Sequence, residues 1–396
     1  MAGDGAPRTG RRGGDMRPGR SRAAVLTAVL GLALFASGCA SSGAAKSARF
    51  RLERQISAAG LDPQAIVFPF ELSDEMRSWV REKVPRTGSP LLRLQRLLNA
   101  LLIEDRETPI TYQRGTTLTA REVWATRRAN CLSFTHLFVG LAREVDIPVY
   151  YLRVSDLQRY EKDGDLVVAS EHVTAAYGPP ANRKILDFSA DQLMPYRSTE
   201  PLTDLGALAL FYSNQGAERI RQGDHRKALE LLEVAVRLDP ELADGWLNRG
   251  VALRRSGRAA DAEASYWRAL EADPIATSPY YNLSALLASA GRQVEAEELL
   301  ALADRRGNRN PFSFLALGDL SLREGRLAEA ERYYRRAHRL FPEHAEPLAA
   351  LGQWALAGGR IDDAQRFLRR AEKHDPLQPR VRQLDRSLRA SLSANG

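Results

Sequence analysis

The chain has 396 residues, 44% of them apolar and 27% charged, a composition that suits two ordinary folded domains and excludes a mainly disordered protein. Its 57 Lys and Arg against 49 Asp and Glu leave a net charge of +8. Half of that excess sits in the segment 1–38, where Arg8, Arg11, Arg12, Arg17, Arg20 and Arg22 outweigh Asp4 and Asp15 by four charges. The remainder is mildly basic, with arginines interspersed among Glu and Asp, so no phosphate-binding stripe and no nucleic-acid partner is expected.

The N-terminus reads as an address. A short basic region (Arg17, Arg20, Arg22) precedes an apolar run from Ala23 to Phe35, too short to span a bilayer comfortably. Ala36-Ser37-Gly38-Cys39 resembles a bacterial lipobox, with Ala36 standing where Leu is commonest. That resemblance implies a signal peptide over 1–38 and a lipidated Cys39 that anchors the chain to a membrane. An ordinary cleaved signal or a single anchor helix is the other reading. Met16 is the expected start, because residues 1–15 add nothing to such a signal. Ala40, not Asp, follows the cysteine, and the resemblance then implies a bacterial envelope lipoprotein on the outer membrane, facing the periplasm. Residues 39–48 are expected to form a tether.

A domain is expected over 49–200. Apolar residues at three and four spacing predict helices over Ala48–Ala59, Ser73–Lys83 and Ser89–Glu104. Asn130 is placed to cap a helix from Cys131 to about Val145, stopped by Asp146-Ile147-Pro148. A strand over Val149–Val154, a polar loop, and two strands over Leu166–Tyr177 and Lys184–Phe188 follow. Cys131 is one of only two cysteines. Taken alone, it is either a small buried apolar residue or a nucleophile. A thiol in a helix's first turn feels the positive end of the dipole, a neighbouring imidazole can take its proton, and a carboxylate can fix the imidazole's tautomer.

The segments NCLSFTHLFVGLARE, EHVTAAYG and ILDFS, with Cys131, His172 and Asp187 in that order, resemble the transglutaminase-like superfamily of papain-like cysteine enzymes. The resemblance covers roughly 90–195 and departs at Val173 and Thr174, where many members carry Ala and Trp. It implies an α+β papain-like domain with a Cys131–His172–Asp187 triad. The backbone N–H of Cys131 is one candidate oxyanion donor, and Tyr112 and Gln113 are weak candidates for a second. His136 lies about 140° around the helix from Cys131 and is expected to pack or cap. No CxxC, HExxH or glycine-rich phosphate loop occurs, so no metal or cofactor is expected.

The C-terminal half is periodic. Pro240, Pro274, Pro342 and Pro376 recur at one interval, doubled once between the second and third. That interval is about 34 residues, the length of a tetratricopeptide repeat. Small residues recur at Gly216, Gly250, Ser284, Gly318 and Gly352, and alanines at Ala228, Ala262, Ala296, Ala330 and Ala364. Another alanine series runs Ala235, Ala269, Ala303, Ala337, Ala371. This resembles five tetratricopeptide repeats over 207–376, with Asn308 in place of the third unit's proline and a capping helix within 377–396. The expected fold is thus an α+β domain followed by an all-α repeat solenoid, mostly helical overall. The resemblance implies a protein or peptide partner on the concave face. Arg219, Arg249, Arg254 and Arg255 are candidates for that groove, or simply for a solvated helix surface. Two functions remain open: a cysteine peptidase, amidase or transamidase, and a non-catalytic assembly lipoprotein whose middle domain only holds a peptide. Oligomeric state is left open.

Overall fold

The computed structural model describes residues 40–104, 109–113, 115–163, 166–186, 199–307 and 310–394. Cys39, Asp187 and Asn308 lie outside these residues. The described residues divide into two units, with the division between Arg51 and Leu52.

Helix α1 covers Ala40–Ala58, so the stretch expected as a tether is helical from Ala40 onward. Adding residues to a formed helix costs little, and Ala44, Ala45 and Lys46 are good helix formers. Helix α2 (Asp74–Lys83) begins where Ser73 Oγ accepts from the Met76 N–H at 3.3 Å. Helix α3 (Pro90–Asn99) begins where Ser89 Oγ accepts from Leu92 N–H, with Pro90 in the first turn, where its missing N–H costs nothing. A wider π turn carries α3 on to Glu104. Helix α4 (Ala120–Thr126) is set by a reciprocal cap: Thr119 Oγ1 accepts from Glu122 N–H, and Glu122 Oε2 accepts from Thr119 N–H at 2.7 Å. Strands β1 (Thr111–Tyr112) and β2 (Arg128–Ala129) pair in parallel just before helix α5 (Cys131–Glu144).

Behind α5 stands an antiparallel sheet of four strands, β3 (Val149–Asp163), β4 (Leu166–Tyr177), β5 (Lys184–Leu186) and β6 (Thr199–Leu202), in the order β5-β4-β3-β6. The polar loop expected after Val154 is instead strand. The β3–β4 ladder slips between Val154 and Arg159 and then resumes from Arg159↔Ser170 to Asp163↔Leu166. Cross-strand backbone bonding holds this outer arm, which is why the polar run SDLQRYEKD gave no strand pattern. The inner part of the ribbon, Val149↔Tyr177 to Val154↔His172, packs on α5.

From Thr203 the chain is helical. Its hairpins are α6/α7 (Asp204–Arg221, His225–Leu238), α8/α9 (Ala243–Arg255, Ala259–Ala272), α10/α11 (Thr277–Ser289, Gln293–Arg305), α12/α13 (Pro311–Arg323, Leu327–Leu340) and α14/α15 (Ala345–Ala357, Ile361–His374). Helix α16 (Pro379–Ala394) closes the array by packing Val381, Leu384 and Leu388 into its last core. Hairpin turns use left-handed glycines: Gly223, Gly257 and Gly325 have φ of 79°, 76° and 74°. The small-residue series marks where paired helices touch. A methyl group at Gly250 would overlap the Tyr266 ring, and one at Gly318 the Tyr334 ring. Ala262, Ala269, Ala330 and Ala337 are fully buried beside them.

The first core does not stop where the helical array starts. It joins Leu132, Leu137, Phe138 and Tyr151 of the sheet region to Leu208, Phe211 and Tyr212 of α6 and to Leu238 and Leu242. Strand β4 also lies against α8 and α10, the first helices of the second and third hairpins. Among the described residues, no helix is long and apolar enough to cross a membrane.

Candidate active site

The N-terminus of α5 is fixed by hydrogen bonds from both sides. Asn130 Oδ1 accepts from Ser133 N–H at 2.8 Å, the cap the sequence predicted. Asn130 Nδ2 donates to Thr117 Oγ1 at 2.9 Å, and Leu118 N–H donates to Ser133 Oγ at 2.7 Å, so the 115–119 loop is pinned to the helix's first turn. The same loop is held from α6, where Gln215 Nε2 donates to Thr117 O and Arg221 to Gly115 O. Cys131, half-buried, is the first residue of α5.

His172 is buried on β4 at the register position opposite Val154. The structure brings it to Cys131: the sulfur and the imidazole share a hydrogen bond. Burial alone would raise the thiol's pKa. The His172 hydrogen bond and charge outweigh it, helped by the backbone N–H groups of Val173 and Leu132 donating to sulfur, and the thiol lies below its ordinary value. Strand and helix are tied at this point by Thr135, whose Oγ1 donates to Cys131 O at 2.7 Å and reaches Val173 O at 3.4 Å.

Asp187, the third residue of the sequence constellation, lies outside the described residues. Strand β5, which precedes it, ends at Leu186, whose carbonyl accepts from Thr174 Oγ1 at 2.5 Å. Gln113 is unsuited to be an oxyanion donor through its backbone, because its N–H is spent on Ala129 O at 2.9 Å in the β1–β2 pairing. Tyr112 is exposed. His136 points away from the thiol into the core, with Nδ1 2.9 Å from the Tyr151 hydroxyl. Burial, reinforced by the charge of Arg143, pushes the His136 pKa down to about 3, so this ring is neutral at ordinary pH. Arg143 binds Asp204, the first residue of α6, through two bonds of 2.9 and 2.8 Å.

Sequence reasoning missed the sulfur's backbone donors, the Thr135 tie and the Arg143–Asp204 pair. A threonine four residues after a helix-opening cysteine was the one local signal for the tie. Among the described residues, no group of His, Cys, Asp and Glu could hold a metal ion. Two of the arginines suggested for a groove are engaged within the fold: Arg219 with Gln222, and Arg249 with Glu233 and Ser265 while lying over Trp246.

The helical hairpins define the class. Residues 214–277 and 321–389 match tetratricopeptide-repeat family models, so the helical array is built of tetratricopeptide repeats. It is 39% identical over 62 residues to the Uncharacterized protein MJ0572 of Methanocaldococcus jannaschii, a match covering 16% of this chain and 72% of that one. Among solved structures it is similar to TTC0263, a thermophilic TPR protein of Thermus thermophilus, at 21% identity and a TM-score of 0.39, over 46% of this chain and 98% of that one. It is also similar to a chain of the APC/C hetero-tetramer Cut9–Hcn1, at 16% identity and a TM-score of 0.42, over 48% of this chain and only 37% of that one.

Proposed function

We propose that the protein is a bacterial envelope lipoprotein in which a transglutaminase-like thiol site acts on an amide bond presented by a protein partner that the repeats recruit. The observation that carries the catalytic part is the hydrogen-bonded Cys131–His172 pair at the start of a capped helix, with the thiol held below its ordinary pKa. In this reading the Cys131 thiolate attacks an amide carbonyl carbon, and the C–N bond breaks as the His172 imidazolium protonates the leaving amine. The resulting thioester is resolved by water or by a second amine, with His172 taking that nucleophile's proton. Asp187, next in chain after β5, is assigned to orienting His172. The Cys131 N–H is assigned to the oxyanion.

The anchor rests on the resemblance of 36–39 to a lipobox, with Cys39 as the acylated residue and the periplasmic side of the outer membrane as the expected location. With Cys39 acylated, Cys131 is the chain's remaining free thiol.

The test is iodoacetamide alkylation of Cys131 followed across pH, with Cys131→Ala as the blank. The expected midpoint lies below the ~8.5 of a free thiol. His172→Ala is expected to raise it, because burial is then opposed only by the backbone donors Val173 and Leu132. A wild-type midpoint at or above ~8.5 defeats the enzyme reading and leaves the peptide-holding scaffold.

A further inference from the structure

Averaged over the chain, arginines are interspersed with acids, but the second helices of the last two repeats depart from that pattern. Helix α13 carries Arg332, Arg335, Arg336 and Arg339. One repeat length later, α15 carries Arg366, Arg369, Arg370 and Lys373 at the same four places. Spacings of three, four and seven residues put each set on one helix face. That face lies opposite the side packed inward, which is Ala330, Tyr334 and Ala337 in α13 and Ala364 and Ala371 in α15. All of these cations are exposed except the half-buried Arg336. The two stripes are neighbours, because Arg370 Nη2 of α15 donates to His338 Nε2 of α13 at 3.2 Å.

The earlier second helices lack this face. At the same four places α7, α9 and α11 each hold a single arginine, Arg237, Arg268 and Arg305. Nor is the charge cancelled locally. Arg335 pairs with Glu331 at 2.7 Å, Arg336 with Asp304 at 3.6 Å, and Arg366 with Asp363. Among the described residues, Arg332, Arg339, Arg369, Arg370 and Lys373 have no carboxylate at ion-pair distance. Two leucines stand exposed at the C-terminal ends of the same helices: Leu340 is the last residue of α13, and Leu377 follows α15.

The partner of such a face is anionic, with its charge spread over the width of two helices. Unpaired cations on long stems, edged by exposed leucines, match a layer of lipid phosphates above acyl chains. An acidic protein or a nucleic acid would use the charge and leave the leucines idle. We propose that the outer faces of α13 and α15 seat the last two repeats on an anionic phospholipid surface. Acyl chains on one residue hold a protein at a membrane without fixing which side of it meets the bilayer, and a basic face fixes that side. The presence of a membrane rests on the anchor proposed above; the attraction of the face to anionic lipid does not.

The test uses the full chain with Cys39→Ser, which takes no acyl group, and vesicles of phosphatidylcholine alone or mixed equally with phosphatidylglycerol. Acetylation of Lys373 by an N-hydroxysuccinimide ester is followed by mass spectrometry. It is expected to slow at least threefold on the anionic vesicles and to be unchanged on phosphatidylcholine, while Lys227 of the first repeat reacts equally on both. Sedimentation with the anionic vesicles then compares two variants of that chain. Arg332→Gln with Arg339→Gln, Arg369→Gln and Arg370→Gln is expected to bind at least tenfold more weakly, since each cation near such a surface adds to the attraction. Arg54→Gln with Lys83→Gln, Arg128→Gln and Arg226→Gln, an equal loss of charge elsewhere, is expected to stay within threefold. Equal weakening in the two variants, or full-rate acetylation of Lys373 on the anionic vesicles, overturns the proposal. Slowing of Lys373 by poly-glutamate or by a DNA duplex, with none on the vesicles, also overturns it and assigns the face to a macromolecule. A wild-type chain found without acyl groups on Cys39 defeats the anchor and leaves the face standing.

Discussion

The repeat array and the sheet region are held together in different ways. In the array one contact is made again and again: a small residue in the first helix of a hairpin meets a large one in the second, as Gly250 meets Tyr266 and Gly318 meets Tyr334. In the sheet region each contact is made once and spans the chain, as when Ser133 takes the Leu118 N–H, Thr135 reaches Val173 and Thr174 reaches Leu186. Apolar repetition makes a surface that can be extended. Single polar ties fix one pair of atoms, and the thiol–imidazole pair sits where several of them converge.

This contrast can be broken by experiment. The largest effect is expected in the array, where Gly318→Leu drives a side chain into the Tyr334 ring and should cost about 3 kcal/mol, the upper range for overpacking a tight contact. Urea unfolding measures it, and the Cys131 alkylation midpoint should stay put because α12 belongs to a different core. A moved midpoint would show that the two regions are not separately held.

The next effect is one of pH. His136 is neutral in the fold with its pKa at about 3, below that of the same ring in an unfolded chain, about 6.5. The unfolded state therefore binds an extra proton between these values, and stability is full above about pH 6.5 and falls as pH drops toward about 3. The slope is about 1.4 kcal/mol per pH unit from this group. Urea midpoints at pH 7.5, 5.5 and 4.5 measure it, and a His136→Phe chain with an equal slope over that window would remove His136 as its source. The smallest expected change is Asn130→Ala, about 1 kcal/mol for a lost N-cap. Its informative readout is the thiol: releasing the 115–119 loop and the first turn of α5 should raise the alkylation midpoint, and an unchanged midpoint would mean that the cap is only structural.

The two regions also differ in how far they can be read from sequence. The hairpins fall where the recurring prolines and small residues place them, because five copies of one packing rule average out the noise of any single position. The start of α5 was legible for a local reason, Asn130 before Cys131. His172 was found through the resemblance of its segment, not through any pattern that computes a contact between residues so far apart in the chain. The outer arm, β6 and α4 were missed. Arm residues 155–163 are polar and paired across a register slip, and β6 owes its place to pairing with β3, far upstream. Such long-range pairing leaves little local trace.

The shared first core has a consequence for how such a chain can be taken apart and recombined. Helix α6 contributes Leu208, Phe211 and Tyr212 to the sheet region, and the Tyr212 hydroxyl also accepts the Val67 N–H at 2.8 Å. A graft of a foreign array at the apparent boundary near 203 would strip the sheet region of one wall. Because β4 also lies against α8 and α10, the earliest workable fusion point is past the third hairpin, at Arg305, so the first three hairpins are inherited with the thiol site and only the later units are interchangeable.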